Sequence, residues 1–153
     1  MKVLFVCLGN ICRSPTADGV FRKLVSDHGL DHVEVDSAGT AAWHIGKSPD
    51  PRSEEFAYQR GYDLSPLRAR QVSEQDFYDF DLLLAMDSEN YQNLMDLCPS
   101  GFESKVKKLL SYSTLALNQD VPDPYYGGDD GFNRVLDLIE DACTQLLTQV
   151  KQS

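Results

Sequence analysis

The hydrophobic positions fall into two kinds of pattern, and they alternate along the chain. Val3-Leu4-Phe5-Val6 is an unbroken apolar run, as expected of a central strand buried on both faces. Ala17, Val20, Phe21, Leu24 and Val25 then repeat at helical spacing, with Ser14-Pro15 reading as cap and first helical position and Gly29 as the stop. A second strand is expected around Val33–Val35. The stretch 39–52 reads as a loop, from which Asp50-Pro51 opens a short helix ending near Gly61. Ser73 and Asp76 have capping-box spacing for another short helix. Leu82–Met86 is a third apolar run, followed by a helix over Ser88–Leu97 and a fourth strand over Val106–Leu110. From Phe132 to Val150 the apolar positions keep helical spacing over five turns. Strands alternating with helices predict an α/β fold: a doubly wound, four-stranded parallel sheet flanked by helices, in a single domain over residues 1–153.

Composition narrows the chemistry. A chain of 153 residues can bury an ordinary core without disulfides or metals. A net charge of −10 argues against nucleic acid and anionic lipid as partners. A phosphorylated substrate would have to be held by a concentrated local site rather than by a basic face. Met1-Lys2 runs directly into a strand-like segment too short for a signal core, and no apolar run approaches a membrane span. The expectation is a cytoplasmic protein with no membrane insertion, whose cysteines (7, 12, 98 and 143) are reduced. The histidines show no ligand spacing with the cysteines, so neither a metal nor another cofactor is expected.

The candidate chemistry lies where the first strand ends. Cys7-Leu8-Gly9-Asn10-Ile11-Cys12-Arg13-Ser14 places a cysteine after a buried strand and an arginine before a helix. In such a strand–loop–helix, successive backbone N–H groups turn inward as an anion nest, making this a phosphate-binding loop. Gly9 and Asn10 tolerate left-handed dihedrals. The helix dipole points its positive end at the loop, and Arg13 offers a planar fork for two phosphate oxygens. Cys7 in that field favours the thiolate, to which Ser14 can donate its hydroxyl. The competing interpretation makes Cys7 a buried strand cysteine and Arg13 a surface residue. The glycine, the cap and the helix placement weigh against it.

These residues, with Asp36-Ser37-Ala38-Gly39-Thr40, Arg70-Gln71 and Asp123-Pro124-Tyr125-Tyr126-Gly127-Gly128, resemble the low-molecular-weight protein tyrosine phosphatases over nearly the whole chain. The resemblance implies that Cys7 attacks phosphorus and forms a phosphocysteine. Arg13 and the amides of Leu8, Gly9, Asn10, Ile11 and Cys12 would hold the phosphate, and Asp123 would act as general acid and then base. On the residues alone, an Asp before Pro is more often a turn residue. The resemblance also implies that Asn10 and Ser37 brace the loop, and that Trp43, Tyr125 and Tyr126 wall the pocket, with His44 at its mouth. The family commonly has a histidine in that brace at the position of Leu67, so the brace here must differ. A cysteine at position 12 implies either a reversible disulfide with Cys7 or a small buried residue. Cys98 and Cys143 read as structural.

The substrates so implied are phosphotyrosine-containing proteins. Whether a cognate tyrosine kinase phosphorylates Tyr125 or Tyr126 stays open. An arsenate reductase on this scaffold would need closely spaced relay cysteines, and Cys98 stands alone in the middle of the chain. An arginine phosphatase would carry Thr in place of Ile11. A phosphocarrier would avoid Arg13 and Asp123, which speed hydrolysis, and a silent phosphotyrosine-binding module would be expected to lose Cys7 or Asp123.

Overall fold

The computed structural model describes residues 1–152, the side chain of Tyr126 excepted. Strand β1 (Lys2–Cys7) pairs in parallel with β2 (Glu34–Gly39) on one side and with β3 (Leu82–Ala85) on the other. β4 (Val106–Lys108) pairs with β3, giving the order β2-β1-β3-β4, all parallel. The doubly wound, four-stranded sheet expected from the alternating patterns is therefore observed.

Both faces of the sheet are covered, which is why β1 carries apolar residues at successive rather than alternate positions. Val3, Phe5 and Cys7 face α1 (Arg13–Asp27), α2 (Pro51–Gln59) and α5 (Gly128–Lys151). Leu4 and Val6 face α3 (Gln75–Asp79) and α4 (Ser88–Leu97), against Phe77 and Leu94. Phe5 meets Phe21 of α1 edge-to-face at 5.8 Å, a packing geometry that aromatic quadrupoles favour. α5 lays Val135, Leu136, Ile139, Ala142, Cys143 and Leu146 into the first of these two cores. Cys143 is buried there and its thiol pKa is raised by that burial, consistent with a packing role.

Several boundaries differ from expectation for identifiable reasons. α1 starts at Arg13, and Ser14 makes no cap, because its hydroxyl is taken by Cys7 and Asn10. β2 runs on to Gly39 through Asp36 and Ser37, polar residues committed to hydrogen bonds at the sheet's C-terminal end. The fourth strand stops at Lys108, and Leu109–Tyr112 turn into a 3-10 helix that packs Leu109 and Leu110 under α5. α5 begins at Gly128, four residues before its apolar stripe. At α3 only half of the capping box forms: Asp76 accepts from the Ser73 N–H at 2.8 Å, while the Ser73 side chain makes no cap. Asp76 is instead shared with Arg70.

In an open sheet of this order, connections leave β1 in opposite directions, and the C-terminal ends of β1 and β3 frame a crevice. The loop 8–12 sits in that crevice, at the N-terminus of the 15-residue α1. Among the described residues, no helix is long and apolar enough to cross a membrane.

Candidate active site

The parallel pairing of Cys7 with Gly39 brings the ends of β1 and β2 together, and the loop folds over this end. Its turn depends on Asn10, whose φ is 57°. Gly9 was expected to share that left-handed conformation but does not. Its lack of a side chain serves a different purpose, since a Cβ there would sit 3.0 Å from the His44 ring. Gly39 answers a similar need that sequence alone did not reveal: a Cβ would lie 2.8 Å from the Leu8 carbonyl oxygen.

The Cys7 sulfur accepts from the Asn10 N–H at 3.3 Å and lies 3.0 Å from the Ser14 hydroxyl. Asn10 is the junction of the brace. Its amide NH2 donates to Ser14 Oγ at 2.8 Å and to Ser37 Oγ at 3.0 Å, while its carbonyl accepts from the Arg70 N–H at 3.0 Å. Arg70 is fixed in turn by Asp36 and by two bonds to Asp76. Burial works against its charge, yet the two carboxylates outweigh that and raise its pKa. Leu67 packs against the larger core, so Asn10, Ser37 and Arg70 brace the loop without a histidine at that position.

Arg13 lines the same pocket. Its Nη1 donates to Asp87 Oδ2 at 2.8 Å and to the Val121 carbonyl at 2.9 Å. Its Nε and Nη2 make no hydrogen bond among the described residues, so one edge of the fork is anchored and the other is available. Asp87 is the functional residue the sequence reading missed. It stands just past β3, caps α4 by accepting from the Asn90 N–H at 2.7 Å, and holds Arg13 with its second oxygen. An Asp followed by Ser-Glu-Asn after a buried strand was a legible cap signal, but its partnership with Arg13 required knowing that β3 lies beside β1.

We expect Asp87→Asn to keep the cap and to lower kcat/KM by roughly 10²-fold, the scale on which mispositioning a substrate-holding group is felt. Steady-state kinetics and a melting curve check this: the loss should appear with Tm little changed.

The pocket is about 140 Å³, and Cys7 and Arg13 lie with Leu8, Gly9, Ile11 and Cys12 along its lining. Trp43, His44, Asp123 and Tyr125 complete the wall. Trp43 is 69% exposed, standing clear of the surface at the mouth. Tyr125 is held edge-to-face on Phe132, and its hydroxyl donates to Asp50 and lies 3.4 Å from the Cys12 sulfur. Burial and the Asp50 carboxylate raise the Tyr125 pKa. The side chain of Tyr126, also expected in the wall, lies outside the described residues.

Asp123 serves the turn and lines the pocket at once. Oδ1 accepts from the Tyr125 N–H at 3.0 Å, capping the short 3-10 helix Pro124–Tyr126, while Oδ2 makes no hydrogen bond among the described residues. Cys12 is buried beside this wall, and burial pushes its thiol pKa up to about 11. Cys98 lies half-buried at the end of α4, away from the pocket lining. Among the described residues, no cluster of His, Cys, Asp and Glu could hold a metal.

The arrangement can hold a tetrahedral anion against backbone amides and one guanidinium edge, with a sulfur beneath it and a carboxylate at the rim. Comparison with known proteins agrees in sequence and in shape. Residues 2–153 match the family described as low molecular weight phosphotyrosine protein phosphatase. A low molecular weight protein-tyrosine-phosphatase of Bacillus subtilis is 44% identical, over 99% of this chain and 97% of its own. A crystal structure of a protein tyrosine phosphatase from Entamoeba histolytica, with Hepes in its active site, superposes with a TM-score of 0.94 at 44% identity, covering 99% and 97% of the two chains. A crystal structure of a Drosophila arginine phosphatase is 37% identical with a TM-score of 0.87, covering 99% and 98% of the two chains. The chain belongs to the low molecular weight phosphotyrosine protein phosphatase family.

Proposed function

We propose that this protein hydrolyses phosphotyrosine in other proteins through a phosphocysteine at Cys7. The observation that carries the proposal is one pocket holding the Cys7 sulfur, the available edge of Arg13 and the Asp123 carboxylate. The Cys7 thiolate attacks phosphorus in line and forms the S–P bond as the P–O bond to the tyrosyl oxygen breaks. Asp123 gives its proton to that oxygen, so tyrosine leaves neutral. Arg13 and the loop amides hold the equatorial oxygens, whose charge is redistributed in the transition state. Asp123, now a carboxylate, takes a proton from water, whose oxygen attacks phosphorus. The S–P bond breaks, inorganic phosphate leaves, and the sulfur returns as a thiolate stabilised by the Ser14 hydroxyl and the Asn10 N–H.

The aromatic wall supports phosphotyrosine over the shorter phosphoserine, because Trp43 and Tyr125 in the pocket lining offer ring faces that suit a phenyl group. Ile11 in the lining presents an apolar surface where a guanidinium leaving group would have to be solvated, which supports an aryl group over phosphoarginine. Cys12 fits a protective role, since both it and Cys7 are free and buried in one tight loop. Peroxide would oxidise the Cys7 thiolate to a sulfenic acid, which would condense with the Cys12 thiol, releasing water and forming a disulfide that a thiol reductant reopens.

Matched phosphotyrosine, phosphoserine and phosphoarginine peptides, with released phosphate measured, test the reading. We expect phosphotyrosine to exceed the other two by at least about 10²-fold in kcat/KM, the scale on which missing site contacts discriminate. Comparable rates on phosphoarginine would overturn the assignment.

A further inference from the structure

The two acceptors that hold Arg13 are themselves held, by residues outside the pocket lining. Arg13 Nη1 is caught between Asp87 Oδ2 and the Val121 carbonyl. Ser88 follows Asp87 in the chain, and Asp120 precedes Val121. These two neighbours are bonded to each other. Asp120 Oδ1 accepts from the Ser88 N–H at 3.0 Å and from the Ser88 hydroxyl at 2.9 Å.

Lys108, the last residue of β4, closes this knot. Its Nζ lies 2.7 Å from Asp120 Oδ1, and it donates to the Asn118 carbonyl at 2.9 Å and to Ser88 Oγ at 3.1 Å. Three acceptors thus engage the three N–H bonds of the ammonium. The Lys108 side chain is only 19% exposed, although its partner Asp120 is half-exposed, so the pair is less screened than an ordinary surface pair. Burial works against the Asp120 charge, yet hydrogen bonds from Lys108 and Ser88 outweigh it and lower its pKa. Asn118, whose carbonyl Lys108 holds, has a φ of 61°, a left-handed conformation that few residues other than glycine adopt. The Val121 N–H donates to the Met86 carbonyl at 2.8 Å. Segment 118–121 is therefore laid across the C-terminal ends of β4 and β3, with Lys108 gripping it just before it supplies the Val121 carbonyl to Arg13.

We infer that Lys108 is a positioning residue for the reaction. By tying Ser88 to residues 118–120 it fixes Asp87 and the Val121 carbonyl relative to each other, and with them the direction in which the available edge of Arg13 faces the phosphate. The ammonium does not meet the substrate: Lys108, Ser88 and Asp120 are all absent from the pocket lining. The inference rests on the proposed role of Arg13 in holding the phosphate, and extends it to the residue that sets the orientation of the guanidinium from outside.

The test measures the binding of inorganic phosphate by calorimetry, the turnover of a small aryl phosphate, and melting curves. Lys108→Met keeps the aliphatic stem and removes the ammonium. We expect it to weaken phosphate binding and to lower kcat/KM, each by about tenfold, since displacing a substrate-holding group is felt at a distance. Lys108→Arg keeps the charge and the donors and should recover most of the loss. Lys107→Met is the control for losing one positive charge from so acidic a protein, because Lys107 lies over the Tyr112 ring and outside the knot. It should bind phosphate as wild type does. A purely structural salt bridge would lower Tm in Lys108→Met and leave the phosphate Kd of the folded protein unchanged, which would overturn the inference. So would an equal loss in Lys107→Met, since the overall field of the protein would then account for both. If Lys108→Met does not fold, Asp120→Asn carries the test. It keeps an acceptor for Ser88 while removing the charge, and should weaken phosphate binding about threefold; a wild-type Kd there would overturn the inference. Wild-type protein that binds phosphate but turns over no aryl phosphate would fail the hydrolytic reading, and the comparison of binding constants would still decide the role of Lys108.

Discussion

Cys7→Ser should be without turnover, by roughly 10⁴-fold or more on phosphotyrosine peptides, since a hydroxyl in this field is a far weaker nucleophile than a thiolate. The same variant should still bind phosphate or vanadate. The cradle consists of loop amides, the α1 N-terminus and the available edge of Arg13, and none of these depends on the sulfur. Ser14 and the Asn10 N–H, which now face the sulfur, can bond an oxygen in its place. Single-turnover kinetics and anion titration together check the claim. Residual activity above a trace would mean that water attacks the substrate directly and that Cys7 is a bystander.

The second large effect concerns Asp123, because its geometry supports two roles. Its Oδ1 holds the turn through the Tyr125 N–H, which an asparagine carbonyl can do equally well. Its Oδ2, unbonded among the described residues, is the atom a proton would leave from. Asp123→Asn therefore keeps the loop and removes the acid. A tyrosine leaving group has a pKa near 10 and needs that proton, whereas a nitrophenolate needs it far less. The expected loss on phosphotyrosine is about 10²–10⁴-fold, the usual contribution of general acid catalysis. Because the proposed mechanism also uses Asp123 in the second step, the measurement should be the burst of phenol release on rapid mixing. Across aryl phosphates of graded leaving-group pKa, the variant should show a steep dependence and wild type a shallow one. Equal slopes would return Asp123 to a turn residue and move the acid elsewhere in the pocket.

What could be read from the sequence follows from how local each feature is. β1 and α5 were legible because each writes its burial as an unbroken pattern along a single element. The phosphate loop was legible because nucleophile, turn residue and arginine lie within eight consecutive positions. Ser14 shows the limit: serine before proline is a sound cap signal, but the hydroxyl had a stronger claim on it from Cys7 and Asn10 across the loop. Asp87, Gly39 and Arg70 were missed or under-read for one reason. Their partners lie 74, 31 and 60 residues away in the chain at Arg13, Leu8 and Asn10, and only the strand order brings them together. The ends of β2 and β4 were misjudged where polar side chains or a 3-10 turn took over from the strand pattern.

The Asn10 side chain joins the loop to α1 through Ser14, to β2 through Ser37 and to the 70–72 segment through Arg70. The entropy of ordering the loop is thereby met during folding, before any substrate arrives. On the proposed mechanism, affinity for phosphate is then not diminished by the work of assembling the cradle. A loop with a weaker junction would reverse this order, with the anion itself organising the cradle on arrival. Part of every binding event would then be spent on conformation, and catalytic rate would become sensitive to how often the empty loop visits its competent shape.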